Sequence, residues 1–111
     1  MSDDRLPTSL WVQAHLRIGA VQGVPMTVVR KGDPERGTVL LKIYQGMGQC
    51  FLLSQTRRDE RLGWLRSSGP DPISESDAER SISRQIAMDP DLWVIEIEDR
   101  QGRCWFDGPV W

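Results

Sequence analysis

Asp89-Pro90-Asp91-Leu92-Trp93-Val94-Ile95-Glu96-Ile97-Glu98-Asp99 is the stretch that decides the fold. Trp93, Ile95 and Ile97 alternate with Val94, Glu96 and Glu98, and a period of two marks a strand from Leu92 to Glu98. The first set predicts the core face. Pro90 disfavours helical geometry at Asp89, so a helix arriving from upstream stops near Met88. Downstream, Asp99-Arg100-Gln101-Gly102 predicts a hairpin turn with Gly102 at a positive-φ position, and Arg103–Asp107 a returning strand.

Upstream of Asp89, Ser76 and Glu79 form a capping box that opens a helix, with Ala78, Ile82 and Ile86 along one narrow face. Ser68–Ser74, with Gly69, Pro70 and Pro72, reads as a loop, and Leu62–Ser67 as a short strand. Met26–Lys31, Thr38–Tyr44 and Gln49–Gln55 predict a three-stranded meander. Its turns are Gly32-Asp33-Pro34-Glu35-Arg36-Gly37 and Gly46-Met47-Gly48, where glycine supplies the φ values a reversal needs. Within Thr38–Tyr44, Val39, Leu41 and Ile43 point one way and Leu40, Lys42 and Tyr44 the other. A first helix is capped by Thr8 or Ser9 and runs to about Gly23. Residues 1–7 read as a polar tail. The order αββββαββ in a single domain, 1–111, predicts an α+β fold: an antiparallel sheet of five to six strands with both helices on one face.

The first helix carries two apolar stripes. Leu10, Trp11, Ala14, Ile18 and Val21 share one face, and Val12, Leu16 and Ala20 lie on a second. If the first packs on the sheet, the second needs another cover, and a homodimer through Val12, Leu16 and Ala20 would supply it. The alternative cover is the segment from Thr56 to Ser74 or the end of the chain around Trp111.

The 111 residues are 39% apolar and 27% charged, with net charge −2. Such a chain folds as one soluble domain and has no bulk charge driving it to nucleic acid or anionic lipid. The longest uncharged stretch, Ile43–Thr56, has 14 residues, against the roughly 20 that a membrane-spanning helix needs. Cys50 and Cys104 form no CxxC and no Cys/His cluster, which argues against a zinc site. Two reduced thiols and the absence of a signal-peptide pattern predict a cytoplasmic protein. No motif calls for a cofactor.

Five tryptophans and a twelve-to-two excess of Arg over Lys raise two readings. Trp and Arg are favoured anchors of interfaces, and Trp also fills small cores. Arg57, Arg58, Arg61 and Arg66, interleaved with Trp64, are the candidates for gripping a nucleic acid, the arginines on phosphates and the indole on a base. Asp59 and Glu60 offset part of that charge, and a solvated loop with local ion pairs explains the same residues. Asp91, Glu96 and Glu98 are the candidates for a divalent-metal or acid–base site. Glu96 and Glu98 are two apart on a strand, roughly 7 Å, but Asp91 joins them only if the loop folds back. The same residues also fit the solvated face of a half-buried strand. His15, the only histidine, has no GxSxG elbow or other triad partner near it in sequence. The glycine pair Gly32/Gly37 lacks the GK[ST] ending of a phosphate loop.

Three stretches together resemble a known family: Leu10-Trp11-Val12-Gln13-Ala14; Val29-Arg30-Lys31-Gly32-Asp33 with Gly37 four residues on; and Asp89 through Asp99. In order and overall length they are similar to a proteobacterial family known only as domain of unknown function 1491. The likeness covers nearly the whole chain, and the last stretch is its most specific part. It implies a bacterial, stand-alone, single-domain protein. It brings no activity, cofactor, partner or catalytic residue. From the sequence, then, the protein reads as a non-enzymatic interaction or regulatory module, with nucleic-acid binding and a metal- or ligand-binding enzyme as alternatives.

Overall fold

The computed structural model describes residues 6–111; most of the tail assigned to 1–7 lies outside these residues. The elements are α1 (Thr8–Gln22), β1 (Met26–Arg30), β2 (Val39–Gly46), β3 (Gln49–Arg58), β4 (Arg61–Arg66), β5 (Ile73–Ser74), α2 (Glu75–Met88) and β6 (Trp93–Glu98). The fold is α+β, and the sheet order is β1-β6-β2-β3-β4, with β5 pairing β3. All neighbours are antiparallel except β2 and β6, which run parallel from Val39↔Trp93 to Tyr44↔Glu98.

The two helices lie on opposite faces, not on one. Val12 of α1 packs with Val39, Leu41, Ile43, Leu53, Trp93, Ile95 and Ile97. Ala78 and Ile82 of α2 pack with Leu40, Cys50, Leu52 and Val94. The reason is in the central strands. Val39–Leu41, Cys50–Leu53 and Trp93–Ile95 are buried without interruption, so both faces are apolar and each needs a cover. The alternation in β6 is therefore real, but its second face begins with a buried Val94.

β6 also separates two strands that the sequence reading pairs. β1 and β2 are not a hairpin; β6 sits between them, and the Gly32–Gly37 segment crosses over its entry. Neither glycine has positive φ. A Cβ at Gly32 would overlap the Asp91 carbonyl oxygen, and one at Gly37 would lie 2.5 Å from the same atom. These glycines serve close packing, not reversal. Asp33 N–H donates to Asp91 O at 2.9 Å, and Trp93 Nε1 donates to Asp33 O at 2.7 Å. The meander is β2-β3-β4 instead.

The segment Arg103–Asp107 is not a strand. Asp99 captures it: its carboxylate accepts from Arg103 N at 2.8 Å, Arg103 Nε at 2.9 Å and Trp105 Nε1 at 3.1 Å. The Arg103 guanidinium, opposed by burial and helped by these amide bonds, lowers the Asp99 carboxyl to about 2. Trp105 takes φ 63°, which ends any extended run. Gly102, as expected, has positive φ.

Helix ends follow local rules with one correction. Gly23 closes α1 in the left-handed conformation. α2 ends at Met88, before Pro90. Its cap, however, is Ser74, whose Oγ accepts from Asp77 N at 3.1 Å; Glu79 is engaged elsewhere. Pro7, rather than Thr8 or Ser9, precedes the first turn of α1.

β3 and β4 extend further than expected, through the charged Arg57–Arg61 segment, to a two-residue tip. Asp59 and Glu60 both have positive φ, 52° and 66°. This is the mirror-image turn that tight hairpins prefer, built here without glycine. A non-glycine residue in this conformation costs about 1–2 kcal/mol. Glu60→Gly is therefore expected to stabilise the fold by about 0.5–1 kcal/mol, the greater freedom of glycine in the unfolded chain offsetting part of the gain. An unchanged or lower urea midpoint would contradict this.

Candidate functional site

The acidic candidates do not share a cleft. Asp91 lies in the loop ahead of β6, with its backbone N–H held by the Asp89 carboxylate at 3.1 Å. Glu98 ends the strand, whose six residues span roughly 17 Å at strand rise. Glu96 lies between them and turns toward a lysine. No group of three or more His, Cys, Asp or Glu suited to a metal ion occurs among the described residues.

That lysine is Lys42, which the sequence reading passed over. It lies on the α2 face of central strand β2, and its side chain is only 5% exposed. Nζ donates to Glu79 Oε2 at 2.9 Å and to Glu75 Oε2 at 3.1 Å, with Glu96 Oε1 at 3.6 Å. Burial alone would lower the lysine. The hydrogen bonds it donates to Glu79 and Glu75 and the charge of Glu96 outweigh it and push Lys42 above its ordinary value. The cluster ties α2 to the sheet. Its sequence signal is a lone charge within Val39–Ile43, an otherwise apolar run, and a Glu75/Glu79 pair at i, i+4 on one side of a helix.

The basic candidates are also divided. Trp64 is fully buried, so its ring cannot receive a base. Its Nε1 donates to Asp107 O at 2.9 Å. It stacks with Trp11 at 6.3 Å and meets Phe106 edge-on at 6.1 Å. Arg66 covers the Phe51 ring at 4.3 Å, and Arg58 the Trp111 ring at 4.6 Å. Arg57 donates to Glu60 O across the hairpin tip at 3.2 Å. Arg61 is exposed and faces Arg58 in the β3–β4 register.

His15 is buried in the same aromatic cluster, stacked on Phe106 at 4.5 Å. Nδ1 is 2.8 Å from the Trp11 carbonyl, which only accepts, so Nδ1 carries the hydrogen. Nε2 accepts from Asp107 N at 3.2 Å. Both ring nitrogens are thus committed to backbone. Burial raises the Cys50 thiol and pushes Cys104 up to about 11, which disfavours the reactive thiolate. Both cysteines are free.

The two stripes of α1 are each split: Trp11 of the first packs against the core with Val12 and Leu16 of the second, and Ala20 of the second is exposed. Val12 is buried and Leu16 packs against the core, so the stripe assigned to a partner is largely the one that faces the sheet. Leu10, Ile18 and Val21 are 50%, 47% and 78% exposed. His15 and Gly19 complete the buried face. A Cβ at Gly19 would lie 2.7 Å from Met26 Sδ, so the glycine lets the helix sit close over β1.

These features define a small α+β protein with a mostly antiparallel sheet between two helices, an aromatic cluster on one face and a lysine–carboxylate cluster on the other. The chain belongs to the DUF1491 family, a family of proteins of unknown function, whose model matches residues 6–107. It is similar to a DUF1491 family protein from Caulobacter crescentus CB15. The crystal structure of that protein superposes with TM-score 0.82 at 36% identity, over 96% of this chain and 97% of that one. An NMR structure of a DUF1491 family protein from the same organism gives TM-score 0.80 at 37% identity, over 96% of each chain. The solution structure of protein Atu0922 from A. tumefaciens shares the fold, with TM-score 0.69 at 21% identity over 85% and 86%. Comparison with curated proteins finds no match. No described helix is long and apolar enough to cross a membrane.

Proposed function

We propose that the protein is a non-enzymatic interaction module that pairs with a second copy through the outer face of α1. The observation that carries this is the exposed stripe Leu10, Ile18 and Val21 on one side of a single helix. Three large apolar side chains in one row favour contact with another apolar surface, and a two-fold pairing of identical helices buries the same stripe on both partners. Two free thiols suit a reducing, cytoplasmic setting.

Sedimentation equilibrium at micromolar concentration tests the reading. The parent chain is expected to dimerise, and Ile18→Glu to give a monomer with an unchanged circular dichroism spectrum. Ile18 is already half-exposed, so the substitution should leave the monomer's own stability within about 0.5 kcal/mol. A monomeric parent, or an Ile18→Glu variant that associates as the parent does, would overturn it.

A further inference from the structure

Where α1 begins, the surface opens into a cleft of about 720 Å³ between the start of the helix, the β1–β2 crossover and the β3–β4 hairpin. Its size lies within the range of small-molecule sites, about 300–1,000 Å³. Its walls are held in place by hydrogen bonds. The Asp33 carboxylate accepts from Glu35 N at 3.2 Å and Arg36 N at 2.7 Å. Thr8 Oγ1 donates to Gly37 O at 2.9 Å, and Ser9 N to Pro34 O at 2.8 Å. These bonds fix the backbone of the crossover wall against the start of α1 before a ligand arrives.

The lining is rich in donors. Arg36 stands on the crossover, Thr38 just ahead of β2, and Gln55 and Arg57 on β3. Val39 N–H donates to Gln55 Oε1 at 3.0 Å. That bond fixes the amide's orientation and leaves Nε2, a donor, as its other end. One edge of the Arg57 guanidinium is held by Glu60 O, which leaves its remaining N–H groups for other acceptors. Among the described residues that line the cleft, Glu35 is the single carboxylate. Two guanidiniums, an amide and the hydroxyls of Thr38 and Thr56 against one carboxylate match a ligand with several acceptor oxygens. Leu6, Pro7 and Leu62 add an apolar part to the same cleft.

We propose that this cleft binds a small organic oxyanion, with its phosphate or carboxylate group between Arg36 and Arg57 and an apolar body against Leu62. The inference is independent of pairing through α1. Its test is isothermal titration calorimetry with three probes: phenyl phosphate, benzoate and inorganic phosphate. Phenyl phosphate or benzoate is expected to bind with Kd below about 1 mM, and the tighter of the two identifies the headgroup. Inorganic phosphate is expected to bind more weakly than phenyl phosphate. Arg36→Gln, which removes no hydrogen bond recorded among the described residues, should weaken the better probe at least about tenfold. Arg57→Gln should do the same. The Ile18→Glu chain should bind like the parent, which separates failure here from failure of the dimer. Absence of binding by both organic probes at 10 mM, inorganic phosphate binding as tightly as the better organic probe, or an Arg36→Gln variant with unchanged affinity would each overturn the proposal.

Discussion

Lys42→Met is expected to cost about 3 kcal/mol of stability, toward the lower end of what loss of one partner from a buried ion cluster removes. Methionine keeps the length and much of the volume of lysine, so packing is not what is tested. What changes is that Glu75, Glu79 and Glu96 lose the cation they share. Glu75 and Glu79 are about half-exposed, so water screens them and holds the loss below the full buried-pair figure. Glu96 is more enclosed and carries the larger share. Urea denaturation should show the drop, and the melting temperature should fall by roughly 10 °C. Adding Glu96→Gln to Lys42→Met should recover part of the loss, because the most enclosed of the remaining charges is removed. A Lys42→Met variant as stable as the parent would show that the cluster does not hold α2. The pH dependence has a defined sign. The folded-state value of Lys42 lies above that of an unfolded lysine, so its contribution is complete below about pH 10 and is lost only as pH rises through the folded value.

Lys42 also shows where local pattern stops being informative. Its placement opposite Leu41 was readable from the strand period, and the structure keeps it. Its partners were not, because Glu75 and Glu79 come from a helix on a face the pattern did not assign, and Glu96 from a strand not expected to lie beside β2. The same limit explains the sheet order. Trp93, Ile95 and Ile97 announce a strand, and Gly23 and Pro90 bracket the helices, since these are properties of a few adjacent residues. That β6 enters between β1 and β2 is a long-range choice, made by apolar residues on both faces of β2 and β6. Gly32 and Gly37 carried the clue, but a glycine that permits close approach reads the same in sequence as one that permits a turn. Arg103–Asp107 follows a turn as a returning strand would, yet the Asp99 carboxylate takes its first N–H.

The candidate site divides along the same line. Residue types with chemical potential were visible as lists: Asp91, Glu96 and Glu98, or Arg57 to Arg66. Whether they converge depends on topology. The structure separates Asp91 from Glu98, gives Glu96 to Lys42, and buries Trp64 beneath the segment that follows Phe106. Arg57 alone among them lines the cleft near α1, beside Arg36, which lies 21 residues earlier and shares no motif with it. No spacing rule joins two such residues; only the crossover and the hairpin do.

Trp64→Ala is expected to cost about 4 kcal/mol, the usual loss for emptying a buried aromatic site, and its consequences should reach the last residues of the chain. Trp64 holds that segment in three ways. Its indole donates to Asp107 O, its backbone N–H donates to Pro109 O at 2.8 Å, and its carbonyl accepts from Trp111 N at 2.8 Å. Trp64→Phe separates these effects. An aromatic ring and the backbone bonds remain, while the smaller side chain leaves a gap and the Asp107 carbonyl loses its partner, which together should cost about 3 kcal/mol. Amide exchange should then accelerate at Trp111, whose N–H belongs to the short pairing with β4, and remain slow at Val94 in the sheet centre. His15 supplies an independent check, because its Nε2 holds the N–H of the same residue, Asp107. His15→Gln alone should loosen the segment as well. Since both side chains act on one residue, holding the peptide units on either side of its Cα, the loss in His15→Gln/Trp64→Phe should be less than the sum of the two singles: once either anchor is gone, Asp107 is already partly released. Strict additivity, or unchanged Trp111 exchange in Trp64→Phe, would mean that the backbone pairing at Pro109 and Trp111 holds the segment without help from either ring.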